Sequence, residues 1–412
     1  MGANVQTISP CDAHVNLTDA DEETLSQWMY SDTRIQISIA SRSIILVVGV
    51  VGNGAFLIVI ARVRSMHTLV NFYLVNLALA DGLVLLQHAA VPIINYSLLG
   101  IPSDGNLLGS PGCMVTQFFN YLGYFTSIFL VCLMSTERYL AVCHPLRHLS
   151  INTKSRASKL VACAWALGIL LSACAIPVNA VYTKYCIQWP EGGRYDSLPT
   201  SAGRCAPTVD WASYAFDTIH AVPFFSALVC NALFFIKIVR NLRRRQAIDR
   251  GRGSLQGRRM VHITHQVTKM LAANAVVFFI CHAPFQFLSL CILVSTLASL
   301  PLFADPVVQG IVVTTSRILV YVNSAINPII YNATNSRYRR AFIRVFACSS
   351  PARREAAHST IMAPGDATIV ATDRSVEDRL DDDKGGQTSN GSLLLNGTPS
   401  DGVSQRSHHT KL

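Results

Sequence analysis

Apolar runs separated by short polar stretches fill residues 38–348 of this chain. Seven runs are long enough to be helices through a bilayer, at 44–61, 72–96, 115–140, 160–181, 219–239, 267–294 and 307–330. Crossing the hydrocarbon takes about 20 mostly apolar residues. One such run is equally compatible with a core helix of a soluble protein; seven in series are not. The pattern predicts an all-α membrane protein, a seven-transmembrane helix bundle. A basic, amphipathic stretch follows it, "SRYRRAFIRVFAC" at 336–348, and predicts a short eighth helix on the membrane surface.

Composition supports this reading. Half of the residues are hydrophobic and 14% are charged, against about 25% charged in soluble domains. The charges also orient the bundle, because loops rich in Lys and Arg stay cytosolic. The basic run "RNLRRRQAIDRGRGSLQGRR" separates spans five and six. Arg147, Lys154, Arg156 and Lys159 follow span three, and Arg337, Arg339, Arg340 and Arg344 follow span seven. The stretch before span one is acidic ("DADEE", 19–23). The expected N-terminus is therefore extracellular and the C-terminus cytosolic, and the net charge of +10 is a topology signal that needs no nucleic acid. Residues 1–27 lack the apolar centre of a signal peptide, so span one is expected to insert by itself. Asn16-Leu17-Thr18 is a glycosylation sequon on the outer side.

Polar residues within the spans carry the chemistry, since a charge at the bilayer centre costs about 2.5–3.5 kcal/mol on insertion scales. In span three, Asn120, Tyr124, Ser127, Val131, Met134 and Arg138 recur at helical spacing and share one face. From Cys113 to Arg138 is 25 residues, about 37 Å of helix, which puts the cysteine outside and the arginine inside. In span seven, Asn323, Asn327 and Tyr331 share a face, and Pro328 interrupts the backbone ladder there. Asp81 in span two, with Ser127, Asn323, Ser324 and Asn327, forms a mid-membrane set of oxygens suited to a hard cation such as sodium.

One motif per span then carries a family resemblance. Gly52-Asn53, "LALAD" ending at Asp81, Glu137-Arg138-Tyr139, Trp165, Pro223, Pro284 and "NPIIY" at 327–331 follow in order. The chain resembles rhodopsin-like G-protein-coupled receptors over about residues 38–348, and "STERYLAVCHPLR" and "CHAPFQF" look most like neuropeptide receptors of the neuromedin, thyrotropin-releasing-hormone and galanin kinds. The resemblance implies a plasma-membrane receptor that activates a heterotrimeric G protein, is regulated by receptor kinases and arrestin, and has no enzymatic activity. It implies that Glu137 holds Arg138 inactive until an agonist frees it, with Tyr139, Pro145 and Leu146 near the G protein. Ile128, Pro223 and Phe278 match a packed trio below the pocket. Asn327, Pro328 and Tyr331 belong to the switch, and the Asp81 set matches an allosteric sodium site, the one ion expected in a chain without other cofactors.

The chain departs from the family pattern in three respects. His282 replaces a usual Trp and is a candidate rotamer switch. Asn231 replaces a Tyr that supports the freed arginine, and Thr264 and Thr268 offer Arg138 no acid. The last two imply a less firmly latched resting state.

The resemblance also pairs Cys113 with a cysteine of the second outer loop. Cys205 is preferred, because its distance to Pro223 is closer to the family's, and Cys186 is then left within reach of Cys11; pairing of Cys186 with Cys205 or Cys113 stays open. The ligand pocket implied is lined by Asn120, Tyr121, Tyr124, Phe285, Gln286, Ser289, Arg317 and Tyr321. Asn120 stands where amine receptors carry an acid, and Tyr321 where visual pigments carry a lysine. A peptide ligand is favoured, with Arg317 meeting an acidic group; a small acidic non-peptide ligand is the alternative, and a membrane transporter the remoter one. The domains expected are an extracellular tail at 1–37, the receptor domain at 38–348 with palmitoylation at Cys348, and a disordered cytoplasmic tail at 349–412 with kinase-target serines and threonines.

Overall fold

The computed structural model describes residues 11–29, 33–99, 101, 108–209, 211–252, 255–298 and 306–347, with side chains from 246 to 263 and from 306 to 309 outside that description. Residues 348–412 form a separate unit beyond the described residues. The expectations for Cys348 and for the tail fall there.

Seven long helical segments carry the seven apolar runs. They are α2 (Thr33–Arg62), α3 (Leu69–Leu85) continued through a π turn into α4 (Val91–Leu99), α5 (Ser110–Cys143), α7 (Lys154–Ala173), α8 (Trp211–Arg252), α9 (Leu255–Ala298) and α10 (Pro306–Thr334). Six helices among the described residues are long and apolar enough to cross a membrane. The seventh, α10, has 29 residues, about 43 Å of helix, and buries Ser316, Asn323, Ser324 and Asn327. Short helices α1 (Glu22–Gln27), α6 (Pro145–Ile151) and α11 (Ser336–Phe346) complete the helical set. The expected eighth helix is α11, capped by Asn335, whose side chain accepts from the Arg337 N–H.

The bundle is apolar outside and polar inside. Ile44, Val51, Leu170, Val222, Ile280 and Phe287 are more than half exposed, while Asp81, Ser127, Asn323, Ser324 and Asn327 are buried. Only a lipid solvent makes that arrangement favourable. Two glycines let helices approach closely. A Cβ on Gly123 of α5 would sit 2.7 Å from the Ala80 carbonyl oxygen of α3, and one on Gly168 of α7 would collide with Thr126 of α5. Small residues at such crossings allow the dispersion contacts that hold helices together in lipid.

Two boundaries differ from those expected. Span four was expected to reach 181, but α7 stops at Ala173. Pro177 has no N–H to give the Ala173 carbonyl and its ring clashes there, so a 3-10 turn (Ile176–Asn179) leads into strand β2, Val181–Gln188. The π turn Leu86–Ala90 has a related origin: Pro92 cannot donate to the His88 carbonyl.

The N-terminal segment is built into the fold. Strand β1 (Ala13–Asn16) pairs in parallel with β2, which pairs antiparallel with β3 (Ser201–Ala206). Leu17, Leu25, Met29, Ile101, Ile187 and Ala202 form a small core beneath this sheet. Disulfides Cys11–Cys186 and Cys113–Cys205 tie it to itself and to α5. Asn16, the expected glycosylation site, is exposed at the end of β1 and accepts from the Thr18 N–H at 3.0 Å.

Candidate functional site

Polar and aromatic side chains from α5, α8 and α9 converge in one cluster. Tyr124 and Gln286 share a 2.6 Å hydrogen bond, donated by the amide, and His220 Nε2 lies 3.2 Å from the same amide nitrogen. The His220 ring lies against Tyr124 at 4.5 Å and meets Phe285 edge-on at 5.7 Å. Tyr121 packs against Phe216 at 4.5 Å and against His220 at 5.4 Å. Buried oxygens of Asn120 and Gln286 have no partner, so the cluster presents two carbonyl acceptors. Ser289 is buried on the same helix as Gln286.

A second group lies beside it. His88, displaced by the π turn, stacks on Tyr321 at 5.1 Å, and Arg42 of α2 lies over the other aromatic partner's ring at 5.6 Å from the Tyr321 centroid. Arg317 is exposed and within electrostatic reach of His88, Tyr121 and Tyr321. Asp217 of α8 acts on Tyr121 from the opposite sign. Of the eight pocket residues expected, Asn120, Tyr121, Tyr124, Phe285 and Gln286 join the first group, and Arg317 and Tyr321 the second. Sequence reading left out His220, Phe216, Arg42 and Asp217. His220 carried a usable signal, one turn before Pro223; Arg42 lay outside the predicted start of span one.

Below the pocket, His282 Nδ1 donates to the Phe278 carbonyl at 2.8 Å and the two rings stack at 4.2 Å. Phe278 and Ile128 lie in one buried cluster, with Pro223 inside α8. Further along, Asn327 donates to Asp81 at 2.6 Å, and Ser324 also bonds the carboxylate. Asn53 reaches from α2 to the Ser324 carbonyl at 2.9 Å. One oxygen of Asp81 and the side-chain oxygens of Ser127, Asn323 and Asn327 are buried without partners. One carboxylate oxygen and three orphaned neighbours fit a hard cation, which takes oxygen ligands.

At the far end of α5 the acid and base part company. Glu137 bonds Arg156 of α7 at 2.8 Å and lies 3.6 Å from His148 of α6. Burial holds the His148 imidazole below its ordinary pKa, against the pull of the Glu137 carboxylate. No Glu137–Arg138 ion pair is present among the described residues. Glu137 turns towards α7 and pairs with Arg156, and stays within electrostatic reach of Arg138. Tyr338 and Tyr73 also lie within electrostatic reach of Arg138, and Thr264 and Thr268 give it no acid. Asn231 instead donates to the Ala227 carbonyl at 2.8 Å. Tyr331 packs against Phe56 and Tyr338 at 5.3 and 5.8 Å. Tyr139 bonds His144 at 3.1 Å; Pro145 opens α6, and Leu146 is 83% exposed.

Clusters of buried polar groups thus recur along the bundle, at Tyr124 and Gln286, at Asp81 and towards Arg138. Comparison with known proteins gives it a family. The pattern of the 7 transmembrane receptor (rhodopsin family) matches residues 52–331. The chain belongs to the rhodopsin family of seven-transmembrane receptors. It is a multi-pass membrane receptor, not an enzyme. A neuromedin U receptor homologue of Caenorhabditis elegans is 26% identical, with 82% of this chain and 86% of the relative covered. The thyrotropin-releasing hormone receptor of Mus musculus is 26% identical, with 83% and 89% covered. Neuromedin-U receptor 2 of Mus musculus is 31% identical, with 77% of each covered.

Removing one partner of a buried ion pair costs about 3–5 kcal/mol. The Arg156 side chain is 29% exposed and that of Glu137 is 7% exposed, so solvent screens part of the loss. Arg156→Ala is expected to destabilise the receptor by about 2 kcal/mol. Adding Glu137→Gln should restore more than half of it, read as thermal-unfolding midpoints of purified protein.

Proposed function

We propose that this receptor binds a neuropeptide at its disulfide-bearing, extracellular end and activates a heterotrimeric G protein at its Arg138 end. The observation that carries the reading is the seam of buried polar clusters between the two ends, in a chain whose relatives are named as neuromedin U and thyrotropin-releasing hormone receptors. The basic residues that crowd the Arg138 end support its cytosolic placement in the plasma membrane. Asn120 and Gln286 offer acceptors to ligand N–H groups, Tyr121, Tyr124, Phe285 and Tyr321 supply aromatic surface, and Ser289 a hydroxyl. Arg317 takes an acidic ligand group. At the other end, Arg138, Tyr139, Pro145 and the exposed Leu146 meet the G protein, after rearrangement of His282, Phe278, Asn327, Pro328 and Tyr331. Receptor kinases and arrestin act on the same face.

Arg42 and Arg317 near one tyrosine favour a ligand carrying an acidic group, and a small acidic molecule would satisfy that chemistry too. A peptide-library screen on expressing cells, with calcium and cyclic-AMP readouts, decides between them: peptides should give full agonists. Arg317→Ala should then weaken an acidic agonist by at least about tenfold, the worth of one charge-assisted hydrogen bond, with surface expression unchanged. Unchanged potency removes Arg317 from the pocket.

Asp81, Ser127, Asn323, Ser324 and Asn327 would hold sodium, which supplies positive charge to the buried carboxylate. In wild-type membranes, replacing sodium by choline should raise agonist affinity. With Asp81→Asn the two salts should give equal affinity; a persisting sodium effect places the ion elsewhere.

A further inference from the structure

At the Arg138 end, a cavity of about 350 Å³ opens between α5 and α8, apart from the seam. Tyr139, Cys143, Lys237, Arg240, Asn241 and Arg244 line it. Three of the six are cations and none is an acid. The aromatic floor is fixed, because Tyr139 stacks on Phe234 at 5.1 Å and carries the Lys237 ammonium 5.6 Å above its ring centroid. Asn241 locks the two helices together by donating to the Val142 carbonyl at 3.1 Å.

The direction of the opening follows from helix geometry. Ile238 and Leu242 of α8 are buried against Val142. Lys237 and Arg244, seven residues apart, lie on one flank about 100° or more away from Ile238. Lys237, Arg240 and Arg244 are all exposed. Towards the disulfide end, that outer side of α8 continues as Leu233, Val229 and Val222, exposed by 53%, 58% and 58%. An apolar stripe for acyl chains therefore runs directly into a pocket of cations.

We propose that this cavity binds the headgroup of a multiply phosphorylated inositol lipid of the cytosolic leaflet. The proposal rests on the cytosolic placement of the Arg138 end. Basic pockets between membrane helices on that side suit phosphoinositide headgroups. Each phosphomonoester carries about −1.5 to −2 charges, which three cations without a competing carboxylate can match. Guanidinium forks of Arg240 and Arg244 suit phosphate oxygens as bidentate partners, and the ammonium of Lys237 supplies a third charge.

The test uses the full-length receptor alone, in phosphatidylcholine nanodiscs doped with phosphatidylinositol 4,5-bisphosphate, with bound lipid measured by native mass spectrometry. Wild type should retain the lipid, and Lys237→Ala/Arg240→Ala/Arg244→Ala should lose it by more than about tenfold. Arg339→Ala/Arg340→Ala/Arg344→Ala, on α11, should retain it. Equal losses in both triple variants would reduce the effect to general surface charge and overturn the proposal. If the first triple variant does not insert, Lys237→Gln alone should lower occupancy about threefold, and unchanged occupancy would overturn it. Soluble inositol trisphosphate should compete only weakly, because it lacks the acyl chains; binding as tight as that of the lipid would make this a free-phosphate site instead.

Discussion

The 2.6 Å hydrogen bond from Asn327 to Asp81 crosses the interior of a bundle whose solvent is hydrocarbon. No water lies on the outside to compensate either group, so both must face inward and find partners there. That requirement fixes the rotation of α3 and α10. Asn53 of α2 then bonds the Ser324 carbonyl, beside Pro328, whose ring frees a backbone carbonyl in the same region. One carboxylate oxygen and three neighbouring side-chain oxygens are left without partners among the described residues, which makes this part of the interior responsive to an ion or to movement of the helices.

Gly123 and Gly168 press α5 against α3 and α7, while Glu137 ties the end of α5 to α7 through Arg156. On the opposite side, α9 meets α5 where the His282 ring lies 5.5 Å from Tyr124, and α8 where Phe279 packs on Phe224 at 5.6 Å, and its sequence offers Arg138 no acid. Helix α5 is therefore held on its α3 and α7 sides.

Much of the seam was legible from spacing. Polar residues in apolar spans are costly enough that Asp81, Asn327 and Arg138 announce themselves, and helical periodicity places Asn120, Tyr124 and Ser127 on one face. Cysteine positions, read with the family's habit, reached both disulfides. The pairing of Glu137 with Arg156 was not legible, because the family resemblance pointed only to Arg138, whereas the rotation of α5 also presents the carboxylate to α7. The sheet that takes in β1 was hidden for a different reason: a four-residue strand that needs β2 as its template leaves no periodic signal. His220 was visible but looked isolated, since its neighbours Tyr124 and Gln286 lie on other helices.

The account stands or falls on coupling through the seam. The most direct measurement is agonist-stimulated nucleotide release from a purified heterotrimeric G protein by the reconstituted receptor, comparing wild type with Arg138→Ala and Asn327→Ala at matched agonist occupancy. Both variants should bind agonist and fail to stimulate release. Full stimulation by either would contradict the claim that the buried polar chain carries the signal.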